Sequence, residues 1–422
     1  MQRRLALERS APLWLSMRFF ASAPLFALLA GALLLWQGPP LLASRWSPAA
    51  LAATHLFTLG VLTMVMSGAL LQLLPVVAGV DIPRVGLAAP AIHALLSAGT
   101  LLLAGAFCWP RPLLFQLALA PLALALAWLL GACALGLWRA RADPAAAARA
   151  GAAQPMLDGV RIALGALGVT AALGAGMAAA LAWALPLPLA RLADLHALWG
   201  LAGWIGVLVI AIAHQVIPMF QVTPLYPAGL TRALNRAVLG LTLAASAAQL
   251  AGHWSAAPLH ALLLGAFGVF AVATLDLLRR RKRPADATTL FWRLAMASLL
   301  ACAALCLAPP PAGASALLPG LLFLLGFAYS AVLGMLYKIV PFLLWQHWQE
   351  NADDKPVPGI RHIITEEAAR GQFRGHLAAL ALLAGAALWP TPLARAAAVA
   401  MLASTLHLAW ILWRALRLRA TH

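Results

Sequence analysis

The sequence predicts an all-α polytopic membrane protein of about twelve transmembrane helices, arranged as three four-helix arcs about a pseudo-threefold axis. Three observations lead there: a composition too apolar for water, a one-sided distribution of basic residues, and an internal repeat with a four-helix period.

Apolar residues make up 64% of the chain and charged ones only 10%, and the mean hydropathy is +0.90. A soluble chain of 422 residues would need a charged coat. The apolar residues come in runs of roughly 18 to 28, enough to cross a hydrocarbon core of about 30 Å. The alternation expected of a membrane β-barrel is absent. Spans are expected near 13–36, 50–76, 87–109, 113–138, 160–185, 190–219, 231–251, 257–278, 290–308, 315–345, 373–389 and 393–416. The first run follows Arg3, Arg4 and Arg9 but is too long for a signal-peptide core, so it reads as an uncleaved helix.

The formal charge is +17, and 25 of the 29 Lys and Arg residues fall in alternate loops, leaving Arg45, Arg111, Arg191 and Arg395 on the other side. This is the positive-inside pattern, and it puts both termini in the cytoplasm of a bacterial inner membrane. The Arg279–Arg283 cluster then reads as a topology anchor, and no nucleic-acid partner is expected. Cys108, Cys133, Cys302 and Cys306 lie in or beside spans and imply no disulfide framework. Cys302 and Cys306 share a helix face at a spacing that suits either core packing or a soft metal.

The repeat shows in two registers. Leu102-Leu103-Ala104-Gly105-Ala106, Trp109-Pro110 and Pro112-Leu113 recur at Leu382-Leu383-Ala384-Gly385-Ala386, Trp389-Pro390 and Pro392-Leu393, with a weaker copy at Leu250-Ala251-Gly252, Trp254 and Pro258-Leu259. Helices 2, 6 and 10 each end in a polar residue, two apolar ones and proline: Gln72 to Pro75, Gln215 to Pro218 and Lys338 to Pro341. The repeats run approximately over 13–139, 160–279 and 290–417 within a single integral membrane domain. Three units that cannot bury a packing face alone close naturally into a ring.

This architecture resembles subunit I of the haem-copper oxidases. The most specific stretch, His55, Gly60, Gly68, Pro75, Gly79 and Pro83-Arg84, is similar to the corresponding helix of NnrS-like proteins, haem- and copper-containing membrane relatives linked to nitric oxide stress. His196, Trp199, Gly200, Gly203 and Trp204 in helix 6, and Gly334 to Phe342 in helix 10, look like uncharacterised members of the superfamily. The resemblance implies haem b, with copper as a second candidate, and places His55 where the oxidases hold a low-spin haem ligand. The paired histidines of oxidase helix 7 and those within helix 10 have no counterpart here, which excludes oxygen reduction coupled to proton pumping.

Ionisable residues inside a membrane are costly and mark function by default. His55, His196 and His260 are each expected about 5 to 10 Å below the outer boundary, a common level for haem or copper ligands. The competing reading for each is a histidine bonded to a backbone carbonyl. His93, His214 and His376 are expected toward the cytoplasmic side. His196 and His214 are eighteen residues apart, too far for one haem, though a second, stacked haem would use such a pair. His407 lies mid-span, and His253, His347, His362 and His422 fall in loops or the tail.

Met64, Met66, Met219 and Met335 read as packing or as thioethers for copper, and Gln72, Gln215 and Lys338 as helix-end caps or as contacts to a cofactor carboxylate or quinone. A cytoplasmic loop over 347–372 holds Glu350, Asp353, Asp354, Glu366 and Glu367 and is the expected docking surface for a partner. The expected function is a haem b protein of the lipid bilayer, in nitric oxide or redox stress response or in electron transfer from a donor protein or quinol. A cofactor-free permease or assembly factor on the same scaffold is the alternative, and a small-gas reductase a third.

Overall fold

In the computed structural model the described residues are 12–142, 153–252, 256–308, 317–351 and 357–418. Expectations that fall on His253, Trp254, Asp353, Asp354 and His422, and on the N-terminal arginines Arg3, Arg4 and Arg9, lie outside them. The described residues form twelve long helices: α1 (Leu13–Gln37), α2 (Pro48–Ala78), α3 (Val85–Cys108), α4 (Pro112–Ala142), α5 (Gln154–Trp183), α6 (Leu189–Gln221), α7 (Ala228–Leu250), α8 (Ala256–Arg279), α9 (Ala287–Leu307), α10 (Leu318–Glu350), α11 (Glu366–Leu388) and α12 (Pro390–Arg417), with a single-turn helix at Ile360–Ile363.

Ten of these helices are long and apolar enough to cross a membrane, so the chain is an all-helical polytopic membrane protein. The other two are α7 and α11. The first opens with Arg232 and Arg236, the second with Glu366, Glu367, Arg370 and Arg374, and these charges lower their apolarity. Exposed tryptophans sit at helix ends, among them Trp36, Trp109, Trp138, Trp183, Trp389 and Trp413, where an amphipathic ring suits the lipid–water boundary. The helices run further than the hydropathy runs at two places: α5 begins at Gln154, and the segment expected as a loop over 347–372 is helical to Glu350 and again from Glu366.

Two compact units divide the chain. Among the described residues, one comprises those within Ala69–Arg283 and Leu299–Pro309, and the other those within Pro12–Gly68, Pro284–Ser298 and Pro310–His422. In the second unit the start of α9 is tied to two neighbours. Asp286 caps the helix by accepting from the Thr289 amide at 2.8 Å and receives the Lys338 ammonium of α10 at 2.6 Å. Glu366 of α11 accepts from the Ala287 amide at 2.7 Å. Free amides of a helix N-terminus need acceptors, and the negative charges also suit its dipole. Local signals start the other helices as well: Ser47 accepts from the Ala50 amide ahead of α2, and Thr365 from the Ala368 amide ahead of α11.

The three helices α2, α6 and α10 share a construction that the rest lack. Each changes from α to π winding in its first half, over Thr58–Thr63, Trp199–Gly206 and Leu322–Tyr329. Each carries an interior proline further on, at Pro75, Pro218 and Pro341. They are also the most buried spans, at 89%, 67% and 78%, while no other candidate span exceeds 56%. Measured back from the proline, the residue at fifteen is glycine in all three: Gly60, Gly203 and Gly326.

Each of those glycines lies close against the preceding helix. A Cβ added at Gly60 would lie 2.4 Å from the Phe26 ring of α1, at Gly203 2.6 Å from the Ala166 Cβ of α5, and at Gly326 2.6 Å from the Ser298 side chain of α9. A second level repeats the pattern seven residues before each proline. Gly68 meets Phe19, Ala211 meets Gly159 and Gly334 meets Phe291, with added-Cβ distances of 2.7, 2.5 and 2.9 Å. On the partner helices the two levels are again seven residues apart in every case, from Phe19 to Phe26, Gly159 to Ala166 and Phe291 to Ser298. One antiparallel helix pair, with one register and one set of small contact positions, therefore occurs three times in the chain. Small residues let backbones approach closely, which is how helices associate in lipid, where no hydrophobic force separates protein from solvent.

Gly60→Ala places a methyl inside the Phe26 contact and lowers the thermal stability of the detergent-solubilised protein by about 1–3 kcal/mol, the cost typical of overpacking. Gly265→Ala on α8 meets nothing within 4 Å and stabilises its helix by up to about 1 kcal/mol. Parallel melting curves check both signs.

Candidate functional site

The candidate site residues are histidines, and the helices set their surroundings. His55 lies on α2 just before its π segment. Its Nδ1 is 2.8 Å from the Leu51 carbonyl, one turn back in the same helix. His196 lies on α6, also just before the π segment. Its Nδ1 is 2.9 Å from the Thr170 carbonyl of α5, and its ring lies over Gly174, where an added Cβ would stand 3.0 Å from Cε1. Trp199, one turn on, donates to the Ser246 hydroxyl of α7 at 3.0 Å. His260 on α8 repeats the pattern of His55, with Nδ1 2.8 Å from the Ala256 carbonyl and Nε2 3.4 Å from the Gln249 amide nitrogen.

His55, His196 and His260 thus share one chemistry. A carbonyl can only accept, so each Nδ1 carries the proton and each Nε2 carries the lone pair. Metal-ligating histidines are commonly oriented this way, the second nitrogen held by a carbonyl that fixes the tautomer. The bond to a backbone carbonyl, the bland reading, and the readiness to ligate are two aspects of the same geometry.

His93, His214 and His376 differ among themselves. His93 on α3 is half-buried. His214 on α6 stacks edge-to-face on Tyr226 at 4.9 Å, and neither of its buried ring nitrogens has a hydrogen-bond partner. An imidazole buried without a partner is costly and fits a missing ligand or ion. His376 was expected at the entrance of its helix. Because α11 begins at Glu366, it sits ten residues in, about 15 Å at 1.5 Å per residue.

His376 is the centre of a buried polar group that the sequence does not announce. Its Nε2 is 2.8 Å from the Ser330 hydroxyl of α10, and the rings of Tyr329 and Phe291 lie 5.4 and 5.7 Å from its own. The Tyr329 hydroxyl bonds to Thr405 of α12, and Ser404 accepts from Gln372 at 3.1 Å. His376, Tyr329, Ser404 and Thr405 border a cavity of about 10 Å³ lined also by Leu325, Ala379, Leu380, Leu383 and Met401, large enough for about one water. The signal that could have found it is the cluster of Tyr329, Ser330, Ser404 and Thr405 in otherwise apolar helices.

The remaining candidates resolve toward structure. Met64, Met66 and Met335 are buried, and the Cys302 and Cys306 thiols hydrogen-bond to each other. Among the described residues no three His, Cys, Asp or Glu side chains gather into a metal-sized group. Lys338, a candidate cofactor contact, is committed to Asp286. The structure places His55 in one compact unit and His196, His214, His260 and His93 in the other. Counted from the packing glycines, His55 lies five residues before Gly60 and His196 seven before Gly203, so the two are not at equivalent positions of the repeat.

No known family matches the chain, and no curated protein is significantly similar to it.

Burial raises the proton affinity of Asp286, but the Lys338 hydrogen bond and charge, with the Thr289 bonds, outweigh it and hold the carboxyl below its ordinary value of 3.8. A lowered folded-state value means stability that is complete above 3.8 and lost as pH falls below it toward the folded-state value. Asp286→Asn, which leaves Lys338 unpaired, costs about 1–3 kcal/mol at neutral pH. The gap between the melting temperatures of variant and wild type narrows only at acid pH.

Proposed function

We propose that this chain is a haem b protein of the bacterial inner membrane, related to the haem-copper oxidases and NnrS-like proteins, that serves redox stress, nitric oxide handling or electron transfer. The observation that carries the proposal is the common state of His55, His196 and His260, each with Nδ1 on a backbone carbonyl and its lone pair on Nε2. His55 and His196 are the axial-ligand candidates. His260, His214 and His93 are further metal-binding candidates, and copper is the second metal their imidazoles suit. Bound haem supplies reversible one-electron chemistry and an iron able to take a small gas. The chain's own contribution is to fix the ring tautomers, to seat the His196 ring over Gly174 and to exclude water with the tightly packed α2, α6 and α10.

The scaffold of the proposal is a twelve-span bundle of three four-helix arcs, with both termini cytoplasmic. Its support is the threefold recurrence of the π segment, the interior proline, the two small-residue levels and the burial of the second helix. In this scheme α7 and α11 also cross the bilayer, their charged first turns lying at the cytoplasmic boundary. The segment between α10 and α11 is the docking surface for an electron donor; a quinol would reach the site from the bilayer.

The visible spectrum of the purified protein, expressed with haem available, tests the reading. A Soret band with a dithionite-reduced α-band is the expected result, and His55→Ala lowers haem occupancy by more than the about 10–100-fold typical of losing an outer-sphere partner. A colourless, folded protein overturns the haem assignment in favour of a cofactor-free permease, and an unchanged spectrum in H55A removes His55 from the ligand set.

A further inference from the structure

Two arginines, from α5 and α7, share a single carboxylate, and a third arginine at the end of α4 stands close by. Asp158 of α5 receives Arg161 of the same helix at 2.8 Å and Arg236 of α7 at 3.5 Å. Arg141, in the last turn of α4, is close enough for its charge to bear on Arg161. Three guanidinium groups against one carboxylate leave two positive charges unbalanced. A positive-inside bias alone explains basic residues free in loops, but not this one. The Arg161 side chain is only 20% exposed, and its buried Nε has no hydrogen-bond partner. The charge left over on the exposed Arg236 and the partly exposed Arg161 calls for an acceptor from outside the chain.

The surface one turn deeper into the membrane says what that acceptor is attached to. Gly165 follows Arg161 by four residues on α5, and Gly240 follows Arg236 by four on α7, so each glycine lies on the same face as its arginine. Both are exposed, and a Cβ built at either meets nothing within 4 Å. The two arginines therefore stand over an open, side-chain-free strip of helix surface. Beside α4 the exposed Trp138 marks the boundary level.

We infer that Arg161, Arg236 and Arg141 bind the phosphate of an anionic phospholipid, whose acyl chain lies along the strip at Gly165 and Gly240. A guanidinium pairs with phosphate through two parallel hydrogen bonds, and basic pockets between helices at the cytoplasmic boundary are suited to such headgroups. Asp158 takes the part of a spacer. It holds Arg161 and Arg236 in place without neutralising them. The inference stands independently of any haem.

Native mass spectrometry of the detergent-solubilised full chain, titrated with phosphatidylglycerol, phosphatidylcholine or inorganic phosphate, tests it. The expected result is retention of phosphatidylglycerol in preference to phosphatidylcholine, with inorganic phosphate a poor competitor. Arg236→Gln, at a side chain 69% exposed, weakens that retention about fivefold, and the double variant with Arg161→Gln by about the product. Gly240→Leu, which fills the strip while keeping every charge, weakens phosphatidylglycerol retention as well. The inference is overturned if phosphatidylcholine is retained equally, if inorganic phosphate competes fully and so marks a plain anion site, or if the arginine variants bind as the wild type does. Unchanged retention in G240L with loss in R236Q would assign the phosphate but remove the acyl strip. A folding defect is separated from lost binding by the melting temperature of each variant without added lipid.

Discussion

The structure depends on one contact made three times: a helix with small residues at two fixed levels, laid against the helix before it. In lipid the helices gain nothing by hiding apolar surface, so association must come from close packing and from the absence of side-chain bulk between backbones. Gly60, Gly203 and Gly326 provide that at one level, and Gly68, Ala211 and Gly334 at the other. The residue that fills the space varies, from the rings of Phe26 and Phe19 to the methyl of Ala166 and the hydroxymethyl of Ser298. Register, rather than residue identity, is what the three pairs share.

That contact also explains the π segments. A π turn accommodates an extra residue and changes the phase between the two halves of a helix. Each segment contains the first-level glycine, so the halves of α2, α6 and α10 can meet the preceding helix at both levels although eight residues, which is not a whole number of 3.6-residue turns, separate them. On the partner helices the levels are seven residues apart, close to two turns. The mismatch is absorbed on α2, α6 and α10, in each case ahead of the interior proline.

Much of this was legible in the sequence, and the parts that were not have physical reasons. The apolar runs marked all twelve long helices because lipid demands uninterrupted apolar stretches, and they blurred in the charged first turns of α7 and α11, where Arg232, Arg236, Glu366 and Arg370 interrupt the pattern and leave ten helices apolar enough to cross. The depth of His376 was hidden for the same reason: a helix beginning at Glu366 looks like loop until its backbone is traced. The proline register was visible, since a polar residue before an apolar pair and proline is uncommon. The glycine register was not, because 32 glycines dilute any single spacing. Winding itself leaves no compositional trace, so the π segments had no signal at all. Among the candidate ligands, sequence indicated which histidines lie in spans but not which ring nitrogen each holds to a carbonyl, and the tautomer is what makes His55, His196 and His260 alike.

The glycine register also bears on how alike His55 and His196 can be. Relative to the packing glycine they differ by two residues, about 200° around the helix and about 3 Å along it at ordinary helical winding. The contacts agree with a difference of direction. His196 turns toward the preceding helix, bonding Thr170 and lying over Gly174 of α5, whereas His55 at the equivalent nitrogen bonds back to Leu51 within its own helix. The third copy has no histidine at either position, Leu321 and Pro319 standing five and seven residues before Gly326. The repeat thus fixes the register in which α2, α6 and α10 each pack against the helix before them, while His55 and His196 stand outside that register, each oriented by its own local carbonyl.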